Sequence, residues 1–352
     1  MTANTPKKVY LGLSGGVDSA VCAAVLKDLG YEVTCVYMKC WGEGPSCAAA
    51  QDGSESVKVA SSLELPFQTW DFTKVYRDNV LKSFIEQYSK GLTPNPDILC
   101  NSEVKFGAFY KKVKQIDKNA LVATGHYARI IQDKYGFNRL ASGLDKKKDQ
   151  SYFLYKLSCL ENVLNDCLFP VGEMTKVQVR EYAKKLNLPN MDRPDSQGLC
   201  FIGDVNMRQF LSSYISKTGG DVVNSAGEVI GKHIGLAFYT IGQRHGFTVN
   251  NYHTDPLYVI GKSFEENRLI VGNRSEAFSK CFNVSGLIFI EEYLTSDLSV
   301  RVRNLGKNIS CTLNSGNVNL KVLEFGIAPG QSAVFYHKDI VVGGGTISEI
   351  TP

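Results

Sequence analysis

A glycine turn and two separated thiols are the residues of this sequence best suited to chemistry. The turn is Ser14-Gly15-Gly16-Val17-Asp18-Ser19, directly after the apolar run KVYLGL. A turn that leaves a strand and opens a helix gathers backbone N–H groups at the positive end of the helix dipole, which favours an anion. Gly15 and Gly16 let the backbone approach phosphate closely, and Ser14 and Ser19 offer hydroxyls. No Lys-Ser or Lys-Thr follows the glycines to grip outer phosphates. The cradle therefore suits a pyrophosphate leaving group better than transfer of a terminal phosphate. Asp18 could help hold a magnesium ion on the phosphates or cap the helix. A lone double glycine would read equally well as an ordinary strand-to-helix turn.

The thiols are Cys100, three residues after Asp97 in the proline-rich TPNPDILCN, and Cys200, after a polar turn in DSQGLCFIG. Cys22 and Cys35, by contrast, sit inside apolar runs, where structural cysteines belong. Taken singly, Cys100 and Cys200 are each nucleophile or bystander. The chain holds ten cysteines and no C-x-x-C pair, which argues against a zinc ribbon, a thioredoxin motif or a closely spaced cluster site. Cys40 and Cys47, in CWGEGPSCAAAQDG, have no histidine nearby and read as accessory or structural, so no metal site is expected.

The elements that must position these groups alternate in the first half of the chain. KVYLGLS, EVTCVYMKC, PFQTWDF and ALVATGHYARI read as strands; DSAVCAAVLKDLG, SVKVASSLEL and VYRDNVLKSFIEQYSKG read as helices. Strands separated by helices imply parallel crossovers, so the first ~200 residues predict an α/β doubly wound parallel sheet. After Cys200 long helices give way to glycine-rich segments and then to short β runs such as LSVRVRN and SAVFYHKDIVVGG. Three domains are expected: a nucleotide-binding domain over 1–205, a small central domain over 206–270 and a C-terminal β-barrel over 271–352. With 43% apolar and 21% charged residues the composition is that of a globular protein. No apolar stretch is long enough to span a membrane and none precedes a cleavage-like site, so a cytoplasmic location is expected. A net charge of +4 does not by itself announce a nucleic-acid partner.

SGGVDS looks like the PP-loop of the ATP pyrophosphatases. The full set of motifs, which adds YMK, TPNPDILCN, VKFG, ATGHYAR, KDQSYFLY, LFPVGE, DSQGLCFIG, TIGQRHG and PGQSAVFY in order, resembles the tRNA-specific 2-thiouridylases along nearly the whole chain. The resemblance implies ATP bound by Gly12, Leu13, Ser14, Gly15, Gly16, Val17, Asp18 and Ser19, with Mg2+ on the nucleotide and with Met38 and Gly125 beside the adenosine. It implies that Asn95, Pro96 and Asp97 meet the target uridine, with Asp97 as general acid or base. Cys200 would carry a persulfide supplied by a cysteine desulfurase or sulfur-carrier protein, and Cys100 would attack it.

The same resemblance puts tRNA against His126, Lys148, Asp149, Gln150, Arg303, Asn304 and Gln331. His126 is otherwise a polar strand terminus, and Asn304 stands where an aromatic residue is expected. The implied activity is ATP-dependent 2-thiolation of the wobble uridine in tRNAs for lysine, glutamate and glutamine, by a monomer. The competing classes are a PP-loop ligase adenylating a small molecule, which needs no cysteine pair, and a non-catalytic RNA-binding module.

Overall fold

The computed structural model describes residues 6–41, 48–195, 200, 203, 206–250, 255–294 and 297–351. Cys47 and most of the stretch from Ser196 to Val205 lie outside them. Two compact units are formed, and neither is contiguous in sequence. The first takes Met1–Leu81, Pro96–Asp204 and Asp339–Gly343; the second takes Lys82–Asn95, Val205–Lys338 and Gly344–Pro352.

The first unit is built on a five-stranded sheet of β1 (Lys8–Gly12), β2 (Glu32–Lys39), β3 (Phe67–Asp71), β4 (Leu121–Thr124) and β7 (Cys167–Leu168), in the order β3-β2-β1-β4-β7. Every neighbouring pair is parallel. Leu11 stands between Cys35 and Ala123, and all three are fully buried, as expected of central strands covered on both faces. Helix α1 (Val17–Asp28) packs Val21 and Leu26 into a core shared with Val9, Leu11, Val179 and Ala183. Each such large side chain contributes about 1.5–3 kcal/mol by leaving water.

The strand order reverses between β1 and β4, since β1 is followed by β2 on one side and β4 lies on the other. In an open α/β sheet a ligand crevice forms beyond the carboxyl ends of the strands at such a reversal. The crevice therefore falls at Gly12 and Thr124.

One sequence expectation is corrected here. ALVATGHYARI is not a single strand: β4 ends at Thr124, and β5 (Ala128–Gln132) forms an antiparallel hairpin with β6 (Asn138–Ser142) instead of continuing the parallel sheet. The chain turns at Gly125 because it lies against the first turn of α1. A Cβ there would sit 2.9 Å from the Ser19 backbone nitrogen and 3.2 Å from the Asp18 carbonyl carbon.

The second unit holds a five-stranded sheet of β8 (Gly220–Val223), β9 (Val229–His233), β10 (Thr248–Val249), β11 (Tyr258–Ser263) and β12 (Arg268–Gly272), ordered β10-β9-β8-β12-β11. It also holds a six-stranded barrel. Strands β13 (Phe278–Phe289), β14 (Leu298–Arg301), β15 (Ile309–Asn314), β16 (Asn317–Phe325), β17 (Ser332–His337) and β18 (Ile340–Thr351) follow the order β13-β16-β15-β14-β17-β18, and β13 pairs with β18 to close it. Phe282, Val300, Val318, Phe335 and Ile347 are fully buried there. Residues 82–95 pack in this unit because Gln331 donates to the Thr93 carbonyl at 2.6 Å and Lys262 to the Gly91 carbonyl at 2.8 Å. Among the described residues no helix is long and apolar enough to cross a membrane.

Replacing Gly125 with alanine forces a methyl group against backbone that cannot swing aside. The expected cost is about 1–3 kcal/mol, as for an overpacked core, read as a lower urea midpoint. An unchanged midpoint would contradict the close approach of β4 to α1.

Candidate active site

The phosphate-type turn is held from outside as well as by its own glycines. Gly15 has φ +77°, a left-handed conformation that favours glycine, and a Cβ on it would lie 2.6 Å from the Asp52 carbonyl oxygen. Its own carbonyl accepts from Asn190 Nδ2 at 2.8 Å and Arg193 Nη1 at 3.1 Å, and Arg193 also pairs with the Asp52 carboxylate. Within the turn, Ser19 Oγ donates to the Gly16 carbonyl and accepts from the Ser14 backbone. Gly16 is the N-cap of α1 and makes no side-chain cap, so among the described residues the first N–H groups of the helix are left facing the crevice.

A cavity of about 330 Å³ opens beyond β1, β2 and β4. Residues 12–14 and 16–19 line it together with Met38 and Gly125, and Gly15 completes the turn behind them. The volume falls at the low end of the range for small-molecule sites. An uncapped helix start, a left-handed glycine and a strand end with no Cβ fit the residues to a nucleotide's phosphates.

Asp18 is not a helix cap. Its Oδ1 accepts from Tyr127 Oη and from Lys176 Nζ, each at 2.7 Å. Lys176 bonds Asp195 Oδ1 as well, at 2.7 Å, and Asp195 also receives Lys148 and Arg180 at 2.6 Å each. Burial works to raise the Asp195 carboxyl, and the bonds from Lys148 and Lys176 more than offset it, holding the group well below the usual carboxylate range. No lysine follows the glycines in sequence, but two approach from elsewhere in the chain: Lys148 lines the cavity and Lys176 braces Asp18.

The thiols one hundred positions apart are neighbours. Cys100 Sγ donates to Cys200 Sγ across 3.4 Å, and Cys200 lines the cavity. Cys100 opens a π-helical segment, Cys100–Phe109, that follows the short helix Pro96–Leu99 carrying Asp97. Cys200 is tied at its backbone: its N–H donates to Asp97 Oδ1 at 3.4 Å and its carbonyl accepts from Tyr76 Oη at 2.9 Å. Burial pushes the Cys100 thiol well up, reinforced by the bond it gives to Cys200. That same bond brings the Cys200 thiol down, against burial and with help from the Lys105 charge. The two shifts run in opposite directions, so Cys200 is the more readily ionised of the pair and Cys100 the less. Burial raises the Asp97 carboxyl, which Lys105 partly counters. Cys40 is buried and burial pushes its thiol up, in keeping with a structural role.

The remaining expected residues fall into two places. His126 and Gln150 line the cavity with Lys148, and Gln150 Oε1 accepts from the Tyr127 backbone at 3.0 Å. Asp149 is buried beneath this loop, where its carboxylate takes the backbone N–H of Gly143 and Ser151. Pro96 begins the helix of Asp97, while Asn95, Arg303, Asn304 and Gln331 belong to the second unit. There Arg303 pairs with Glu324 at 2.6 Å, and Asn304 Oδ1 is buried without a hydrogen-bond partner among the described residues.

Sequence reasoning missed Lys105, Lys176, Arg193 and Asp195. Lys105 sits in the VKFG motif and Asp195 opens DSQGLC. Lys176 begins a helix, Lys176–Lys185, whose capping box of Thr175 and Gln178 is legible as T-x-x-Q. These were signals of place without a role.

Three family models match in order: one described as a tRNA methyl transferase HUP domain over residues 7–204, a tRNA methyl transferase PRC-barrel domain over 208–273 and an aminomethyltransferase beta-barrel domain over 279–347. A protein of Blochmanniella floridana named tRNA-specific 2-thiouridylase MnmA is 41% identical, with 98% of each chain covered. One of the same name from Shewanella sp. (strain MR-7) is 40% identical, covering 99% of this chain and 97% of that one. Among solved structures, NMN synthetase from Francisella tularensis is similar at 18% identity and a TM-score of 0.33, over 55% of this chain and 70% of that one, a likeness too distant to bear on function. Identity at this level along almost the whole length shows that the chain belongs to the tRNA-specific 2-thiouridylase family.

Proposed function

We propose that this protein is a tRNA-uridine 2-sulfurtransferase that replaces the C2 oxygen of the wobble uridine with sulfur, in tRNAs for lysine, glutamate and glutamine. The observation that carries the reading is the 3.4 Å approach of Cys100 Sγ to Cys200 Sγ, with Cys200 in the wall of the cavity that the glycine turn also lines. A uracil C2 oxygen is a very poor leaving group, and ATP as co-substrate supplies its activation by adenylation with release of pyrophosphate. The backbone from Gly12 to Ser19 is proposed to hold the phosphates, Met38 and Gly125 to border the adenosine, and Asp18, braced by Tyr127 and Lys176, to face accompanying Mg2+.

The thiols carry the sulfur. The Cys200 thiolate attacks the outer sulfur of a persulfide on a cysteine desulfurase or sulfur carrier; a new S–S bond forms at Cys200 and the donor leaves as a thiolate. The terminal sulfur then bonds to the activated C2, and the C2–O bond breaks as AMP leaves with the former C2 oxygen. Cys100, as thiolate, attacks Cys200 Sγ, so the bond between Cys200 and the transferred sulfur breaks and a Cys100–Cys200 disulfide remains. The two electrons that turn sulfane sulfur into thiocarbonyl sulfur come from that pair of thiols, and an external thiol resets it. Asp97, whose carboxyl burial pushes up, is proposed to carry the proton between these groups.

A base within a stacked anticodon is out of reach until flipped, so a folded tRNA is the substrate, with Asn95, Pro96 and Asp97 as its contacts near the thiols. Further contacts are proposed at His126, Lys148, Asp149, Gln150, Arg303, Asn304 and Gln331, the acidic member acting through the loop it shapes. The protein is proposed to act as a cytoplasmic monomer, with domains over 1–205, 206–270 and 271–352.

Incubation with ATP, magnesium, a desulfurase, labelled cysteine and unmodified tRNA should yield labelled 2-thiouridine. Cys100→Ser and Cys200→Ser should each abolish it while ATP binding survives. Undiminished thiolation by both variants would refute the relay, and AMP formation indifferent to RNA would favour a small-molecule ligase. Lys176→Met leaves Asp18 and Asp195 without their shared cation, so ATP affinity by calorimetry should fall roughly ten- to thirtyfold. Unchanged affinity would remove that network from nucleotide binding.

A further inference from the structure

The VKFG motif has a lysine that the relay leaves without work. Lys105 follows Cys100 by five positions. In an α-helix that spacing would turn its side chain about 140° away from Cys100. The Cys100–Phe109 segment is π-helical instead, and its i→i+5 repeat keeps the two on one side. Lys105 lines the same cavity as Cys200, and its charge acts to bring the Cys200 thiol down.

The ammonium is also fixed from behind. Lys105 Nζ lies 3.4 Å from His126 Nε2, and His126 Nδ1 lies 2.6 Å from Thr124 Oγ1. An ammonium has hydrogens and no lone pair, so Nε2 accepts and the ring proton sits on Nδ1, donated to Thr124. Burial and the Lys105 charge hold His126 well below its ordinary value, so the ring stays neutral and takes no share of the positive charge. Burial alone would discharge Lys105, yet the surrounding Cys200, Cys100 and Asp97 raise it. Among the described residues the groups that act on Cys200 are Cys100 and Lys105 from the π-helical segment, Asp97 from Pro96–Leu99, Tyr76 from Tyr76–Leu81 and Cys40 after β2, with His126 behind Lys105.

We propose that Lys105 is a further catalytic residue, the cation that holds the Cys200 sulfur as a thiolate ready to take sulfur from a donor, with His126 as its positioning residue. The sulfur-accepting part of this role rests on the sulfurtransferase reading above; the charge pairing does not. In that uptake the Cys200 thiolate forms the new S–S bond, the donor's S–S bond breaks, and the electron pair leaves on the donor thiolate, with no net oxidation.

The test is the pH profile of iodoacetamide alkylation, read by peptide mapping on the full chain without nucleotide or RNA. Exposed Cys159 serves as the comparison thiol in the same molecule. Cys200 should reach half-maximal reactivity below Cys159 and below the ordinary thiol value of about 8.5. Lys105→Met and Lys105→Gln should each move the Cys200 midpoint up by at least about one unit, lowering its rate near neutrality about tenfold, while Lys105→Arg keeps a low midpoint. Cys200 titrating at or above Cys159 in the unsubstituted protein overturns the proposal without any variant, as does a Lys105→Met profile that superimposes on it. A clear shift in a chain that forms no 2-thiouridine would sink the sulfurtransferase reading and leave the charge pairing standing.

Discussion

The site depends on one hydrogen bond between two sulfurs. Cys100 donates to Cys200 in surroundings that disfavour charge, and the asymmetry of that bond makes Cys200 the more readily ionised of the two. Two equivalent buried thiols would both stay protonated and inert. Here the bond and the Lys105 charge act on the same sulfur and together outweigh burial, so Cys200 is lowered while its partner is raised beside it. A relay needs such a division, because the acceptor must react with a donor before the second thiol is called on.

The rest of the fold brings that pair to a nucleotide crevice. Strand order β3-β2-β1-β4-β7 puts the reversal between β1 and β4, and both Gly12 and Gly125 lie at that point. The chain leaving β4 then supplies Gly125, His126 and Tyr127, which touch respectively the start of α1, Lys105 and Asp18. Three consecutive residues thus join the phosphate turn to the sulfur site, and they do so because the chain turns after Thr124 instead of extending as one strand. The ion pairs of Lys176 and Asp195 make a second connection, from Asp18 to a carboxylate five positions before Cys200.

Much of this was legible in the sequence, for definable reasons. The parallel sheet follows from apolar runs separated by helix-length segments, and the glycine turn from residue types that only a close backbone approach requires. Cys100 and Cys200 stood out because polar loops are unusual places for structural cysteines, although spacing alone could not say that they meet. The cations were not legible. Lys105, Lys176 and Arg193 reach the site by tertiary folding, and a lone lysine in a sequence is indistinguishable from a solvated one. The break after β4 was missed because apolar pattern continues through it, and only the packing of Gly125 against α1 shows why the chain turns. The noncontiguous make-up of the two units depends on side chains such as Gln331 and Lys262 reaching backbone carbonyls at Thr93 and Gly91, which no local pattern announces.

The central claim is that the electrons for sulfur transfer come from the thiol pair. The most direct measurement is a single turnover without added reductant, starting from protein persulfidated at Cys200, with 2-thiouridine and the disulfide-linked peptides of Cys100 and Cys200 quantified by mass spectrometry in the same sample. The account expects disulfide and 2-thiouridine to appear in equal amounts and on the same time course. Formation of 2-thiouridine with both thiols still reduced would contradict it.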